Sequence, residues 1–353
     1  MQPVSEQLSQ KKAPFGASAT DQRPRQAAAK PGRLSEEIKK ILLRNEVGVV
    51  LMLAVICIVT AMLTPRFLTA DNLMNVLQQS VLVGILSLGQ LLVIVTAGID
   101  LSVGSILALA SAIFALGLHR WGLPEPVAFA AGLGAGVFLG FTNGMVLTRL
   151  RMPHPFISTM AMMTVARGAV LILMNQTPIS GMPDSLVVVG QGRIGAIPIS
   201  FGLMIVIYIA VHLLLNRTRL GRYIYAIGGN KEAARIAGIN VSNVLVLVYS
   251  LSGLMCILAG FVLAGRVNAV FPLAGFGSEF DTIAAVIIGG ASFFGGVGTV
   301  WGTLGGVLIM SVLHNALNLL GVDSNLQQIA IGLVIVGAMY LDVIRRRVSG
   351  IRA

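Results

Sequence analysis

The residues of this chain that could do chemistry are ionisable and amide side chains set inside long apolar runs. Arg167 lies eleven residues past Phe156, about 17 Å along a helix rising ~1.5 Å per residue. Asp100 and Asp281 fall at or near the ends of other runs, and Gln90, Asn143, Asn175, Asn315 and Asn318 add neutral hydrogen-bonding groups. An uncompensated charge at the centre of a bilayer costs at least roughly 2.5–3.5 kcal/mol, so each such group is a functional candidate. Gln90, Asp100, Asn143, Arg167, Asn315 and Asn318 form the candidate translocation set. For Arg167, solute contact competes with a structural ion pair or a cap of backbone carbonyls. Neutral groups without a matched chain of buried acids suit a neutral hydroxylated solute better than an ion.

A second constellation is a polar island at 216–242, reading NRTRLGRYIYAIGGNKEAARIAGINVS, with Arg217, Arg219, Arg222, Lys231 and Arg235 against one acid, Glu232. Its second half reads as a short helix. Asn230 suits the N-cap, Glu232 the first turn and Gly238 the residue just past the C-terminus. Ala233, Ala234 and Ile236 give it a small apolar face. Two turns cannot hold themselves helical in water, because nucleation costs more than so few bonds return. The island either docks on a soluble partner or is a solvated loop whose basic residues set topology.

The positioning elements follow from composition. The chain is 56% hydrophobic and 11% charged, against about 25% charged in soluble domains. Apolar runs of membrane-crossing length, about 20 residues, make it an all-α polytopic membrane protein. Ten apolar segments run over 47–64, 78–97, 103–118, 126–147, 156–174, 198–215, 243–264, 281–295, 300–319 and 327–343. The eighth is short and rich in glycine, so a re-entrant or broken helix is the alternative to a full span. Residues 1–45 predict a disordered basic cytoplasmic tail with no signal-peptide core, ending in an amphipathic interfacial helix over 34–45. The transmembrane domain covers 46–347, and 348–353 form a cytoplasmic C-terminal tail.

Lys and Arg distribution fixes the expected orientation. The tail holds nine, the 148–155 loop two, the island five and the C-terminus four, whereas Arg66, Arg120, Arg193 and Arg266 fall on the other side. Twenty against four puts both termini and the island in the cytoplasm. The net charge of +11 is thus topological and predicts no nucleic-acid partner.

Gly132, Gly136, Gly140 and Gly144 recur every four residues on the fourth segment, and Gly302 and Gly306 repeat the spacing on the ninth. Such stripes let helices approach closely. The corners VTAGIDLSVGS (95–105) and IGGASFFGGVGT (288–299) resemble each other, either as a weak internal repeat or because glycine permits tight turns. No Gly-Lys dipeptide exists, so no Walker-type phosphate loop does either. His119, His154, His212 and His314 lack metal-ligand spacing, no GxSxG occurs, and Cys57 and Cys256 read as small core residues. No catalytic residue, metal or cofactor is expected.

The stretches GRYIYAIGGNKEAARIAGINVSNVLVLVYSLSGLMCILAG, AGIDLSVGS and DTIAAVIIGGASFFGGVGTVWGT resemble the membrane permeases of ribose-type sugar ABC importers of the bacterial inner membrane. The resemblance covers nearly the whole chain from about residue 45. It implies a ten-helix subunit of vitamin-B12-permease-like, type II importer-like architecture, working as a homodimer. The implied partners are a cytoplasmic ATPase with two nucleotide-binding domains and a periplasmic sugar-binding protein. The implied coupling residues are Gly229, Asn230, Glu232, Ala233, Ala234, Arg235 and Gly238, which enter a groove of the ATPase. Glu125, Asp184, Glu279 and Asp323, with the four arginines of the far side, are expected to face the binding protein. An ion-coupled secondary transporter is the alternative; so is a same-family permease for a nucleoside or branched-chain amino acid.

Overall fold

The computed structural model describes residues 45–150 and 152–348. The tail and interfacial helix expected before Asn45, and residues 349–353, lie outside the described residues. Each of the ten apolar segments contains a helix. In chain order these are α1 (Asn45–Leu63), α2 (Ala70–Val95), α3 (Val103–His119), α4 (Glu125–Arg149), α5 (Pro155–Leu173), α7 (Ile199–Arg217), α10 (Val241–Val267), α11 (Ser278–Ile288), α12 (Val300–Leu319) and α13 (Ser324–Val348). Among the described residues, α2, α4, α5, α7, α10 and α12 are each long and apolar enough to cross a membrane. The protein is a polytopic helical membrane protein.

Local chemistry sets the boundaries. Thr69 caps α2 through Asn72 N, and Thr299 caps α12 through Gly302 N. Prolines stand in the first turns of α4 and α5, where the missing N–H costs nothing. α10 ends at Asn268, which takes the left-handed conformation at φ 52° that asparagine tolerates better than most residues.

The connection between α5 and α7 contains a helix the sequence reading left as loop, α6 (Asp184–Gln191), which packs on the end of α10 through a close approach of Gly190 to Gly265 and Arg266. Two-residue strands β1 (Ile179–Ser180) and β4 (Ala269–Val270) pair antiparallel; β2 (Arg193–Ile194) and β3 (Ile197–Pro198) form a hairpin.

The eighth segment is broken. α11 has 11 residues, about 16 Å at ~1.5 Å per residue, which alone cannot cross a hydrocarbon core of about 30 Å. A run of turns over 271–277 precedes it and Gly289 ends it. The stretch 281–295 is therefore not one helix.

The middle of the bundle is α2, α3 and α10, each of which buries more side chains than any of the other helices. α4 lies on α10 along its glycine stripe. A methyl group on Gly140 would collide with the Tyr249 carbonyl, one on Gly144 would sit 2.6 Å from Val246 Cα, and one on Gly136 would sit 2.8 Å from Gly253 O. Where the stripe ends, Phe114, Phe129 and Phe261 stack with centroids 4.8–5.1 Å apart. On α12, Gly302 and Gly306 meet the backbone of α11 at Gly289 and Ala285. Both stripes are packing seams. Without a hydrophobic drive between helices in lipid, such close contact is one of the sources of association energy, beside interhelical hydrogen bonds.

Overpacking a dense contact costs about 1–3 kcal/mol, so Gly140→Ala should lower the thermal midpoint of the detergent-solubilised protein. Gly134→Ala, on the same helix with open space around it, should leave it in place. Equal midpoints would show that the seam is not closely packed.

Candidate coupling element and buried polar groups

The island folds as two helices. α8 (Arg219–Gly229) starts at Thr218, whose hydroxyl accepts from Gly221 N at 3.2 Å. It buries Gly221, Ile224 and Ile227 on one face, the i, i+3 pattern of a surface helix. The sequence reading gave this half no helix. α9 (Lys231–Ile236) forms as expected, with Asn230 Oδ1 accepting from Ala233 N at 2.9 Å. It closes with Gly238 at φ 83°, Gly238 N bonding Arg235 O and Ile239 N bonding Ala234 O.

The apolar face of α9 needs correcting. Only Ala234 is buried; Ala233 is exposed, and Ile236 is 80% exposed. α9 buries one small side chain and leaves Ile236, Glu232 and Arg235 exposed. The Arg235–Glu232 ion pair at 2.7 Å is solvent-facing, so it adds little stability but fixes where the two charges stand.

α8 is seated on both glycine-rich corners. Gly228 packs against the Val95 carbonyl at the end of α2 and against Gly296 of the second corner. Tyr225 Oη donates to Gly298 O at 2.7 Å, and Gly296 N donates to Val95 O at 2.9 Å. The two similar corners therefore bond to each other. Gly228 and Tyr225 were missed because sequence similarity between two turns does not say that they touch.

The six translocation candidates divide among separate environments. Asp100 is fully buried. Its Oδ1 accepts from Ser102 N at 2.9 Å and Ser102 Oγ at 2.5 Å, and its Oδ2 from Ser252 Oγ at 2.9 Å on α10. Asn143 of α4 donates to Ser102 Oγ at 2.7 Å. Thr159 of α5 bonds Ile99 O at 3.2 Å. Three helices thus clamp the corner that starts α3. Asp100 and Asn143 belong together.

The others stand apart. Arg167 donates through Nη1 to Pro272 O at 2.7 Å and Ala274 O at 3.2 Å, with its guanidinium 5.9 Å from the centroid of Phe276. The carbonyl cap is realised, and it holds the irregular stretch before α11. Asn315 exchanges two hydrogen bonds with Asn72 of α2, at 2.8 and 2.9 Å. Asn318 accepts from Gln327 at 2.9 Å across the α12–α13 turn. Gln90 is buried on α2, and both its amide atoms lack a protein partner.

Two further placements differ from expectation. Glu279 is not on a docking face: it is 6% exposed, at the start of α11 against Gly104. His314 is not an isolated packing residue, since its Nε2 lies 3.3 Å from Asp281 Oδ1 between α12 and α11. Their separation of 33 residues and lack of motif hid this pair.

Asp100→Ala would leave Ser102 and Ser252 without their acceptor, and an unsatisfied buried group costs about 1–3 kcal/mol. The expected outcome is a lower thermal midpoint for Asp100→Ala than for Asp100→Asn, which keeps an acceptor in place. Equal midpoints would mean that the carboxylate does not hold the corner.

Comparison with known proteins gives a consistent answer. The chain is 41% identical over 309 residues to the ribose import permease protein RbsC of Escherichia coli (strain K12), spanning 86% of this chain and 95% of that protein. It is 42% identical over 300 residues to the ribose import permease protein RbsC of Bacillus subtilis (strain 168), spanning 84% and 92%. It is 38% identical over 326 residues to the fructose import permease protein FrcC of Rhizobium meliloti, spanning 90% of each. No solved structure matches. With the family model matched over residues 72–339, the chain belongs to the family described as branched-chain amino acid transport system / permease component.

Proposed function

We infer that this chain is the membrane permease subunit of an ATP-binding-cassette importer for a monosaccharide, ribose or a close relative. The observation that carries this is similarity at about 40% identity over nearly the full length of two ribose permeases and a fructose permease. It is a multi-pass inner-membrane transport subunit, not an enzyme. ATP hydrolysis belongs to a separate chain, and a periplasmic binding protein delivers the sugar.

The finer reading is a ten-crossing permease of the vitamin-B12-permease type, in which 271–277 and α11 together make the eighth crossing. Its support is that β4 pairs with β1 after α5, whereas the turn after α11 meets α8 at the opposite end. The Lys/Arg asymmetry puts that island end, with both chain termini, in the cytoplasm. Two copies pair across a central path, surrounded by lipid. α9 enters the ATPase, with Gly229, Asn230, Glu232, Ala233, Ala234, Arg235 and Gly238 as the coupling surface. The exposure of Ile236, Glu232 and Arg235 on a helix too short to stand alone supports this. ATP-driven closure of the ATPase then moves α9 and switches which side the path faces.

Of the path candidates, Gln90 is the one buried amide with neither side-chain atom bonded within the protein, while Asn143 leaves its Oδ1 unbonded. Asp100, Asn143, Arg167, Asn315 and Asn318 are occupied in holding helices together and act on the path by shaping it. The Asp281–His314 pair favours one second reading, an ion-coupled carrier, since a partly buried acid and histidine in contact are the parts of a proton relay.

Truncating a charge at a buried interface costs about 2–5 kcal/mol. Glu232→Ala/Arg235→Ala should therefore reduce stimulation of the ATPase by sugar-loaded binding protein by about tenfold or more in proteoliposomes. Full stimulation by the assembled double variant would put the coupling contact elsewhere.

A further inference from the structure

We propose that a contact between two glycine pairs, Gly228–Gly229 on α8 and Gly295–Gly296 in the second corner, is a positioning element of transport: it passes movement of α9 to α2, α3 and α11 together. This rests on the reading that α9 docks on the ATPase.

The contact leaves no slack. A methyl group on Gly228 would collide with Val95 O and lie 2.5 Å from Gly296 N. One on Gly296 would lie 3.1 Å from Gly229 Cα and N, and one on Gly295 2.8 Å from Ala97 N and 2.9 Å from Gly228 O. Side chains absorb small displacements by changing rotamer; backbone against backbone cannot. Gly295 and Gly296 hold φ 86° and 73°, and Ala97, opposite them, holds φ 60°. A non-glycine residue in that region persists only where its surroundings impose it.

Each corner leads somewhere specific. The first runs from Val95, through Ala97, to Asp100, which is tied to Ser252 on α10 and through Ser102 to Asn143 on α4. The second lies between the last turn of α11 at Gly289 and the Thr299 cap of α12, and its own turn is closed by Ser292 N bonding Val297 O at 2.9 Å. The bond from Gly296 N to Val95 O makes the two corners one piece. A shift of α8 must carry both corners with it or break the contact. Tyr225, bonded to Gly298 O, holds α8 down on the second corner from the preceding turn.

The test reconstitutes the full chain with the ATPase subunit and the ribose-binding protein of a ribose importer, and reads assembly, ATP hydrolysis and labelled-ribose uptake. Gly228→Ala and Tyr225→Phe should assemble and hydrolyse ATP, yet move less ribose per ATP. One lost hydrogen bond corresponds to about fivefold for Tyr225→Phe, and the collision at Gly228 should cost at least that much. Gly202→Ala, which has open space around it, should keep the wild-type ratio. If Gly228→Ala does not assemble, Tyr225→Phe, which leaves the backbone untouched, decides alone. An unchanged ratio in the assembled variants overturns the proposal. Wild type that fails to assemble with the ATPase overturns the underlying reading, and this proposal with it.

Discussion

Helices in a bilayer gain nothing from hiding apolar surface from one another, because lipid is as apolar as they are. What holds this bundle is therefore the distance of closest approach between backbones, and glycine sets it. α4 lies on α10 through Gly136, Gly140 and Gly144, with Gly253 answering from the other side. α12 lies on α11 through Gly302 and Gly306. α8 lies on the two corners through Gly228. Loss of any of these seams would remove the closest backbone approach between the elements it joins.

Close backbone packing leaves little room for polar side chains, and several of those present are bonded within the protein. Asp100 takes three donors, Arg167 two carbonyls, and Asn72 and Asn315 satisfy each other. These groups fix the places where the helices break. Asp100 sits where the chain turns back into α3, and Arg167 grips the irregular run that precedes α11. Broken helices near the middle of a bundle are where transporter paths are commonly built.

Much of this was legible in the sequence. Ten apolar segments each contain a helix, the α9 caps at Asn230 and Gly238 lie as their residue types require, and the glycine stripes mark seams. These features depend on local periodicity or on residues a few positions apart. What could not be read depends on contacts distant in sequence. The apolar face of α9 was read from composition, whereas which of Ala233, Ala234 and Ile236 is covered depends on the angle at which α9 leaves α8. Glu279 was placed at the surface because it precedes an apolar run; the turns over 271–277 carry it inward instead. The Asp281–His314 pair and the bond between the two corners join residues that no short motif connects.

The central claim is that this bundle moves a sugar by the work of a separate ATPase rather than by an ion gradient. The most direct measurement is labelled-ribose uptake into proteoliposomes holding this chain, its ATPase subunit and the binding protein, with ionophores collapsing every ion gradient. The account predicts uptake that requires ATP and is unchanged by the ionophores. Uptake that proceeds without ATP and disappears with the proton or sodium gradient would contradict it, and would make the Asp281–His314 pair the first place to look.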